Sequence, residues 1–435
     1  MATTATLRIE RFADQGRCVA HLDGRVVFVR FALPGELVEV ALDQPQRADA
    51  RFWTGEVARV IEASPLRQEP VWPLAGPLAW GGGLGGADLV HVTPAGQREW
   101  KAAVIADQMR RLGHVDVDVP VEAMPGDDAN DGLYWRTRIE MVANTDGHAS
   151  MRRRESHERI DVRTMPLATR GLLAVADELG IWEHNEPDAH LRLAVPAPRD
   201  VADDADTATL RAAIGDNFGY LVDGHLAAGR GHLTEHARVD GRDFAYRVDA
   251  SGFWQMHREA PLALPQYVLD QVRGALGGKA DPVIWDLYSG SGLFTLPLAA
   301  LTGPRARVLA VEGAPGAVRN ARHNAGEAGL AGVTFLQGDV AKALAHLMRD
   351  HALKALRRPD AIVLDPPRAG AKAKVCRQLA ASGARTIVYV ACDPASLARD
   401  TATLVQDGYL LDAIRAFDIY PDTHHVETVA TFRRA

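Results

Sequence analysis

The residue in this chain best placed for covalent chemistry is Cys392. The apolar run TIVYVAC ends on it, and Asp393-Pro394 then opens the helix-like segment PASLARD. A thiol where a strand ends and a helix begins meets free N–H groups and the positive end of the helix dipole, and both favour the thiolate. The other cysteines carry no such signal. Cys18 lies in an alternating run and Cys376 in the helical KVCRQLA, settings in which cysteine is ordinarily a small hydrophobe. The tail FDIYPDTHHVETVATFRRA adds His424, His425 and Glu427 just before a last strand. Their spacing is not the helical H-x-x-x-H of a metal site and no third outlying ligand is evident, so no metal is expected and Glu427 reads better as a general base.

A second set of residues is acidic. In DLYSGSGL, Asp286 closes an apolar strand, Tyr288 follows, and Gly290 and Gly292 make a tight turn into a helix, which lets backbone approach a ligand at the carboxyl edge of a sheet. Thr295 stands where the third glycine of a dinucleotide fingerprint would be, which argues against a pyrophosphate cofactor. Glu312 ends the next strand, RVLAVEG, where a carboxylate can accept hydrogen bonds from two ribose hydroxyls. Asp339 in LQGDV is placed for an adenine amino group, and Asp365 begins the proline-locked turn DPPR. Any one of these is more commonly a helix cap or a turn residue. As a set of four strand-terminal carboxylates they point to a nucleoside-bearing cofactor, and S-adenosylmethionine fits best.

The elements that must hold these residues are legible as a C-terminal run of apolar strands, VIWDLY, RVLAVEG, VTFLQGD, AIVLDPP and TIVYVAC, each followed by helical pattern. This is a Rossmann-like, doubly wound parallel sheet covered on both faces, expected over residues 251–435. Residues 1–67 alternate apolar and polar positions, broken at Asp23-Gly24 and Pro34-Gly35, a run of hairpins that makes a small barrel or sandwich. Between them, residues 68–250 form a central α+β region. It opens with the glycine- and proline-rich loop VWPLAGPLAWGGGLGGADLV and a helix over 93–113 that ends at a glycine C-cap and packs on the catalytic region. RDVADDADTATL reads as a solvated acidic loop.

Bulk composition narrows the classes further. A chain of 435 residues suits two or three domains, and 47% hydrophobic with 24% charged residues is neither disordered nor fibrous. No apolar run has membrane-spanning length and the start, MATTATLRIERF, lacks a secretory pattern, so a cytoplasmic protein is expected. Three scattered cysteines give no disulfide framework. A net charge of −7 means that binding to phosphate must rest on a local basic patch.

DLYSGSG, DPPRAG and YVACDPASLARD with HHVET together resemble the RNA uracil-5 methyltransferase family, and the likeness runs nearly end to end. GRCVAHLDGRVVFVRFALPGELVEV is similar to the RNA-binding TRAM barrel, an OB-like fold. The resemblance implies that Gln255, Tyr288, Glu312, Asp339 and Asp365 hold S-adenosylmethionine, that Cys392 adds to C6 of the target uracil, and that Glu427 removes the C5 proton. The base must then be flipped out of its stack, with Tyr134, Trp135, Phe253 and Trp254 as stacking candidates whose commoner fate is core packing. It also implies an RNA partner, ribosomal RNA ahead of transfer RNA, with Arg152, Arg153 and Arg154 followed by His157 and Arg159 as a possible grip on phosphate. Monomer is the default state. Many relatives ligate an iron-sulfur cluster through four cysteines. Here the corresponding stretch is WPLAGPLAWGGGLGGADLVHV, Met165 takes the fourth position, and no cluster is expected. Two further departures are Asp393, an added carboxylate that opposes thiolate formation, and Leu293, which removes a polar contact in the cofactor turn. Two other readings stay open: an exocyclic amino methyltransferase, which uses D-P-P-x and needs no cysteine, and a non-catalytic RNA-binding or ribosome-assembly factor.

Overall fold

The computed structural model describes residues 3–43, 49–202, 204–302 and 307–435. Residues 1–2, 44–48 and Asp203, which belong to the N-terminal region and the acidic loop considered above, lie outside the described residues.

Period-two alternation produces six N-terminal strands: β1 (Thr4–Arg8), β2 (Arg11–Ala13), β3 (Arg17–Leu22), β4 (Arg25–Arg30), β5 (Leu37–Leu42) and β6 (Phe52–Glu62). They form one curled sheet in the order β1-β5-β6-β4-β3-β2, with β1 lying against β3. Asp23 and Gly24 both take positive φ, 49° and 79°, which is what a two-residue hairpin between β3 and β4 requires. The inward positions Val27, Val29, Val38, Val40 and Val57 are fully buried. The glycine-rich stretch that follows contains two single 3₁₀ turns. Trp72, Ala75, Leu84 and Ala87 from it, and Met165, are buried together in the core shared by the N-terminal and central regions.

Helix α1 (Pro94–Gln108) is N-capped by Thr93 and runs on into a π turn over Met109–Gly113. The expected glycine C-cap is not where the sequence placed it. The left-handed residue is His114, and Gly113 is small because an added Cβ would come within 3.3 Å of the Ala398 carbonyl. Trp100 and Val104 face the N-terminal and central core, whereas Ile105 and Met109 enter the core of the C-terminal sheet. One helix therefore ties the two halves together.

After α1, the short strand β7 (Val121–Ala123) leaves for the C-terminal sheet. The central sheet has the order β10-β9-β8-β11-β12-β13, built from β8 (Arg138–Ala143), β9 (Ala149–Arg152), β10 (Arg159–Asp161), β11 (His190–Ala194), β12 (Gly219–Val222) and β13 (His225–Gly229). Helices α2 (Arg170–Leu179) and α3 (Thr207–Ile214) accompany it. The end of the supposed acidic loop is helical, because Asp206 caps α3 by accepting from Thr209 N at 2.9 Å. The hairpin of β14 (His232–Val239) and β15 (Arg242–Asp249) forms its own two-stranded sheet, and its buried Phe244, Tyr246 and Val248 pack with α4 (Ala260–Leu276).

The catalytic-type sheet then follows: β16 (Val283–Leu287), α5 (Thr295–Thr302), β17 (Arg307–Glu312), α6 (Pro315–Glu327), β18 (Val333–Gln337), α7 (Val340–Leu347), β19 (Ala361–Leu364), α8 (Lys372–Ser382), β20 (Thr386–Ala391), α9 (Pro394–Gln406), β21 (Tyr409–Asp418) and β22 (Glu427–Arg434). β16, β19 and β20 are buried along their whole length, as strands covered on both faces must be. The order is β18-β17-β16-β19-β20-β22-β21-β7. A wholly parallel sheet is not what forms: β22 runs antiparallel between β20 and β21. The reversal follows from the loop 419–426, which folds the chain back, and it sets Ala391 opposite Thr428. Cys392 and Glu427 thereby become neighbours across two adjacent strands, although β21 separates them in sequence.

Candidate active site

A cavity of about 980 Å³ opens over the carboxyl ends of β16, β17, β19 and β20. Gln255, Tyr288, Gly290, Glu312, Asp339, Asp365, Cys392 and Glu427 all line it. Gly292 does not. Its φ of 98° and the 2.9 Å that would separate an added Cβ from Leu296 make it a packing glycine beneath the turn. Asp286 also departs from the expected set of strand-end carboxylates. It is internal to β16, fully buried, and its carboxylate accepts from Thr295 Oγ1. Burial pushes its pKa up to about 7. Thr295, read from sequence as a missing glycine, is therefore the partner of a buried acid.

One wall of the cavity is held by backbone. Tyr288 takes φ 61° and Gly290 φ 54°, so the turn after β16 bends through the left-handed region twice. For the tyrosine this costs of order 1–3 kcal/mol, a strain that the surrounding packing must impose. The turn points Gly290 N at Glu312 Oε2, 3.0 Å away, while Glu312 Oε1 accepts from Ala314 N at 2.7 Å. Glu312 is thus fixed in orientation with lone pairs left for a ligand. Asp339 both lines the cavity and caps α7, accepting from Lys342 N at 3.0 Å, so the commoner role and the binding role coexist. Leu293 is buried, and its carbonyl accepts from the Tyr246 hydroxyl at 3.1 Å.

The facing wall holds unsatisfied groups. Glu427 is 3% exposed, and its Oε1 has no hydrogen-bond partner among the described residues. Burial and the neighbouring Asp365 raise its pKa well above the usual carboxylate value, while burial and Glu312 raise Asp365 to about 7. Three carboxylates in one low-dielectric space cannot all ionise freely.

Cys392 sits between them, and the expectation of a helix-activated thiol is overturned. Burial, then Glu427 and Asp365, push it up to about 12, with Arg368 acting in the opposite direction. The helix N-terminus does not rescue it because α9 is already capped: Asp393 Oδ1 accepts from Ser396 N at 2.7 Å. Asp393 is accordingly an N-cap, and as an opposing charge it ranks last among the causes named for the thiol.

Several nearby candidates resolve into structural roles. Trp135 is buried, stacked on His257 at 5.7 Å with planes 8° apart; Trp254 packs on Tyr246; Tyr134 lies under the Arg170 guanidinium. Phe253 alone of the four is open, 66% exposed at the cavity edge. His424 pairs with Asp88 at 2.6 Å and His425 with Arg368, and burial, with His424 and Arg368 beside it, holds His425 down to about 3, a neutral ring. The arginine cluster splits up. Arg154 is turned inward, donating to the carbonyls of Ala75, Leu84 and Gly76 and lying over Phe31. Arg153 pairs with Glu158 and Arg159 with Asp188, which leaves Arg152 and His157 exposed. Arg154 therefore cannot serve as a phosphate grip; Arg152 can.

Arg136 and Tyr420 are among the cavity residues that sequence reasoning missed. Arg136 stands in YWRTR, which reads simply as a strand, and Tyr420 in IYPDT, which reads as a turn. Their signal was proximity in sequence to Trp135 and to His424, which needs the fold to be interpreted.

Comparison with known proteins gives a consistent result. Residues 222–435 match the family model described as tRNA (Uracil-5-)-methyltransferase, and residues 3–51 match the TRAM domain. A Bifidobacterium longum protein described as an uncharacterized RNA methyltransferase is 60% identical over 99% of this chain and 97% of its own length. The 23S rRNA (uracil(1939)-C(5))-methyltransferase of Shewanella amazonensis is 30% identical, covering 98% of this chain and 95% of that protein. Among solved structures, the Pyrococcus abyssi tRNA (uracil-54, C5)-methyltransferase in complex with S-adenosyl-L-homocysteine superposes with a TM-score of 0.65 at 21% identity, covering 98% of this chain and all of that one. That likeness extends the fold over the whole molecule.

Proposed function

The chain belongs to the S-adenosylmethionine-dependent RNA uracil-5 methyltransferase family, and from that premise we propose that it methylates C5 of a uridine in ribosomal RNA through a covalent Cys392 adduct. The observation that carries this reading is the register of β20 and β22, which brings Cys392 and Glu427 to one wall of a cavity whose other wall is Gly290, Glu312 and Asp339. Ribosomal RNA is favoured over transfer RNA because the Shewanella relative, similar along its whole length, is named for 23S rRNA.

The residues present suit the methyl donor. Glu312 offers remaining lone pairs for ribose hydroxyls and Asp339 for an amino group, and buried Asp365 and Glu427 favour a cationic ligand, which relieves their mutual repulsion. Gln255, buried at the cavity wall, completes the set with Tyr288 and Gly290. When bound, S-adenosylmethionine supplies an electrophilic methyl group. The cavity's own residues do the rest. Arg368 favours the Cys392 thiolate, which adds to C6 of the uracil; an S–C6 bond forms and the C5=C6 pair shifts so that C5 becomes nucleophilic. Once C5 carries the methyl group, Glu427 takes its proton, the released pair restores C5=C6, and the S–C6 bond breaks. Phe253, exposed at the edge, is suited to stack on a flipped base.

The N-terminal sheet and the exposed Arg152 would bind the RNA, residues 68–250 would serve as the central RNA-binding part, and residues 251–435, with the β14–β15 hairpin packed on them, as the catalytic part. The enzyme would act as a monomer in the cytoplasm, without an iron-sulfur cluster. The test is to incubate the protein with 23S ribosomal RNA containing 5-fluorouridine and the methyl donor. A denaturation-stable protein–RNA adduct is expected, absent from Cys392→Ala, which should lose turnover by about 10⁴-fold or more while still binding the donor. An adduct persisting in Cys392→Ala, or full turnover by it, overturns the mechanism and favours the amino-methylating alternative. Failure to bind the donor at all would favour the non-catalytic one.

A further inference from the structure

Tyr420 is a cavity residue for which the chemistry above has found no use. Its ring is fixed edge-on against Trp135, with centroids 6.2 Å apart, and against His425 at 5.9 Å. Its backbone carbonyl accepts from Lys101 Nζ at 3.0 Å and from Thr423 Oγ1 at 2.8 Å. Lys101 is in turn locked by a buried ion pair with Asp418 at 2.5 Å, and Gln97 of the same helix exchanges two hydrogen bonds with Asp422. Helix α1 thus clamps the segment on both sides of Tyr420. The hydroxyl, by contrast, donates to nothing among the described residues. Burial, with the charges of Glu427, Cys392 and Asp365, keeps the phenol protonated, while Arg136 is the cation that acts in the opposite direction.

Arg136 is itself unusual. It forms no ion pair among the described residues; Nε donates to the Arg138 carbonyl at 2.8 Å and Nη2 contacts Met256 Sδ at 3.2 Å. A cation and a free O–H lining one cavity with a nucleophilic thiol form a preorganised site for negative charge on oxygen.

Adding a thiolate at C6 of uracil creates such a charge. As the S–C6 bond forms, the C5=C6 pair moves into the C5–C4 bond and the C4=O pair onto oxygen. We propose that the Tyr420 hydroxyl, backed by Arg136, is the donor that receives the uracil C4 carbonyl oxygen and stabilises the enolate formed by Cys392 addition. The charge returns from that oxygen to carbon when C5 becomes methylated, so Tyr420 donates a hydrogen bond throughout and keeps its proton. This rests on the uridine reading. It adds a catalytic residue to it.

The test uses the full-length protein and 23S ribosomal RNA transcribed with [5-³H]uridine, because C5 methylation releases tritium to water. Tyr420→Phe keeps the ring contacts and removes only a hydroxyl without an internal partner, so its melting temperature should match wild type. Its single-turnover tritium release should be slower by about 10²-fold, with KM for RNA and donor affinity unchanged. Arg136→Gln should be slower in the same step. Release by Tyr420→Phe within twofold of wild type, or a loss confined to KM, overturns the assignment while leaving the uridine reading intact. If wild type itself releases no tritium, the uridine reading fails and takes this assignment with it.

Discussion

The two walls of the cavity are built in opposite ways. On the donor-facing wall the two carboxylates already have partners: Glu312 is held by Gly290 N and Ala314 N, and Asp339 by Lys342 N. On the reactive wall Glu427 Oε1 and the Tyr420 hydroxyl have none among the described residues, and Arg136 lacks a counter-ion there. Oriented carboxylates cost little to use, which suits a site that binds one invariant ligand. A buried group left unpaired, as Glu427 Oε1 is, is held at the expense of stability, and such strain is most readily understood where a substrate must supply the missing partner.

That contrast makes the mutational effects separable. The largest should come from the reactive wall. Glu427→Gln keeps the shape but cannot take the C5 proton, so turnover should fall by roughly 10²–10⁴-fold and the covalent RNA adduct should accumulate, visible on a denaturing gel with ordinary uridine. Fast turnover without accumulation would mean another group is the base. On the donor wall, Glu312→Gln should weaken donor binding by about tenfold, the loss of one charge-assisted hydrogen bond, with the single-turnover rate at saturation little changed. A titration by calorimetry separates the two outcomes, and a collapse of the chemical step instead would erase the distinction between the walls.

The smallest effect is on stability and pH. Asp286 and Asp365 are held up to about 7 in the folded protein, against an ordinary value near 4 in the unfolded chain. Between those values the folded state binds more protons, so the ligand-free protein should lose stability as pH rises from about 4 to 7. Asp365→Asn should flatten that slope in thermal melts across the range, whereas an unchanged slope would mean that Asp365 is not the group retaining its proton.

How far the site could be read from sequence follows from the same contrast. The donor wall was legible because its residues follow a local rule: each lies at or just past the end of an apolar strand, as Glu312, Asp339 and Asp365 do. The C-terminal alternation of strands and helices and the run of short strands at the start are legible for the same reason, since periodicity is local. The ordering of the last strands was not. Nothing near Tyr409–Asp418 reveals that β22 will insert beside β20, and the meeting of Cys392 with Glu427 depends on it. Nor does a residue's type reveal its occupation: Asp286 is claimed by Thr295, Arg154 by three carbonyls, and Asp393 by the first turn of α9. The thiol's electrostatics are hidden for a related reason: the helix start after Cys392 is local, whereas Glu427 and Asp365, which oppose the thiolate, reach it only through the fold.

Strand β7 has a consequence for how the molecule is made. Among the described residues Val121–Ala123 pairs only with β21, almost three hundred residues later, and α1 inserts Ile105 and Met109 into a core that, Val119 and Val121 apart, is built from residues 283–432. During synthesis these segments have no partner until β21 and the sheet beside it have been made, so a later part of the chain completes an earlier one. A fragment cut at the start of the family-matched region would expose the β21 edge and the hydrophobic seat of α1 to any passing chain. Residues 251–435 therefore do not close on themselves: β7 covers their sheet edge and α1 fills a seat in their core.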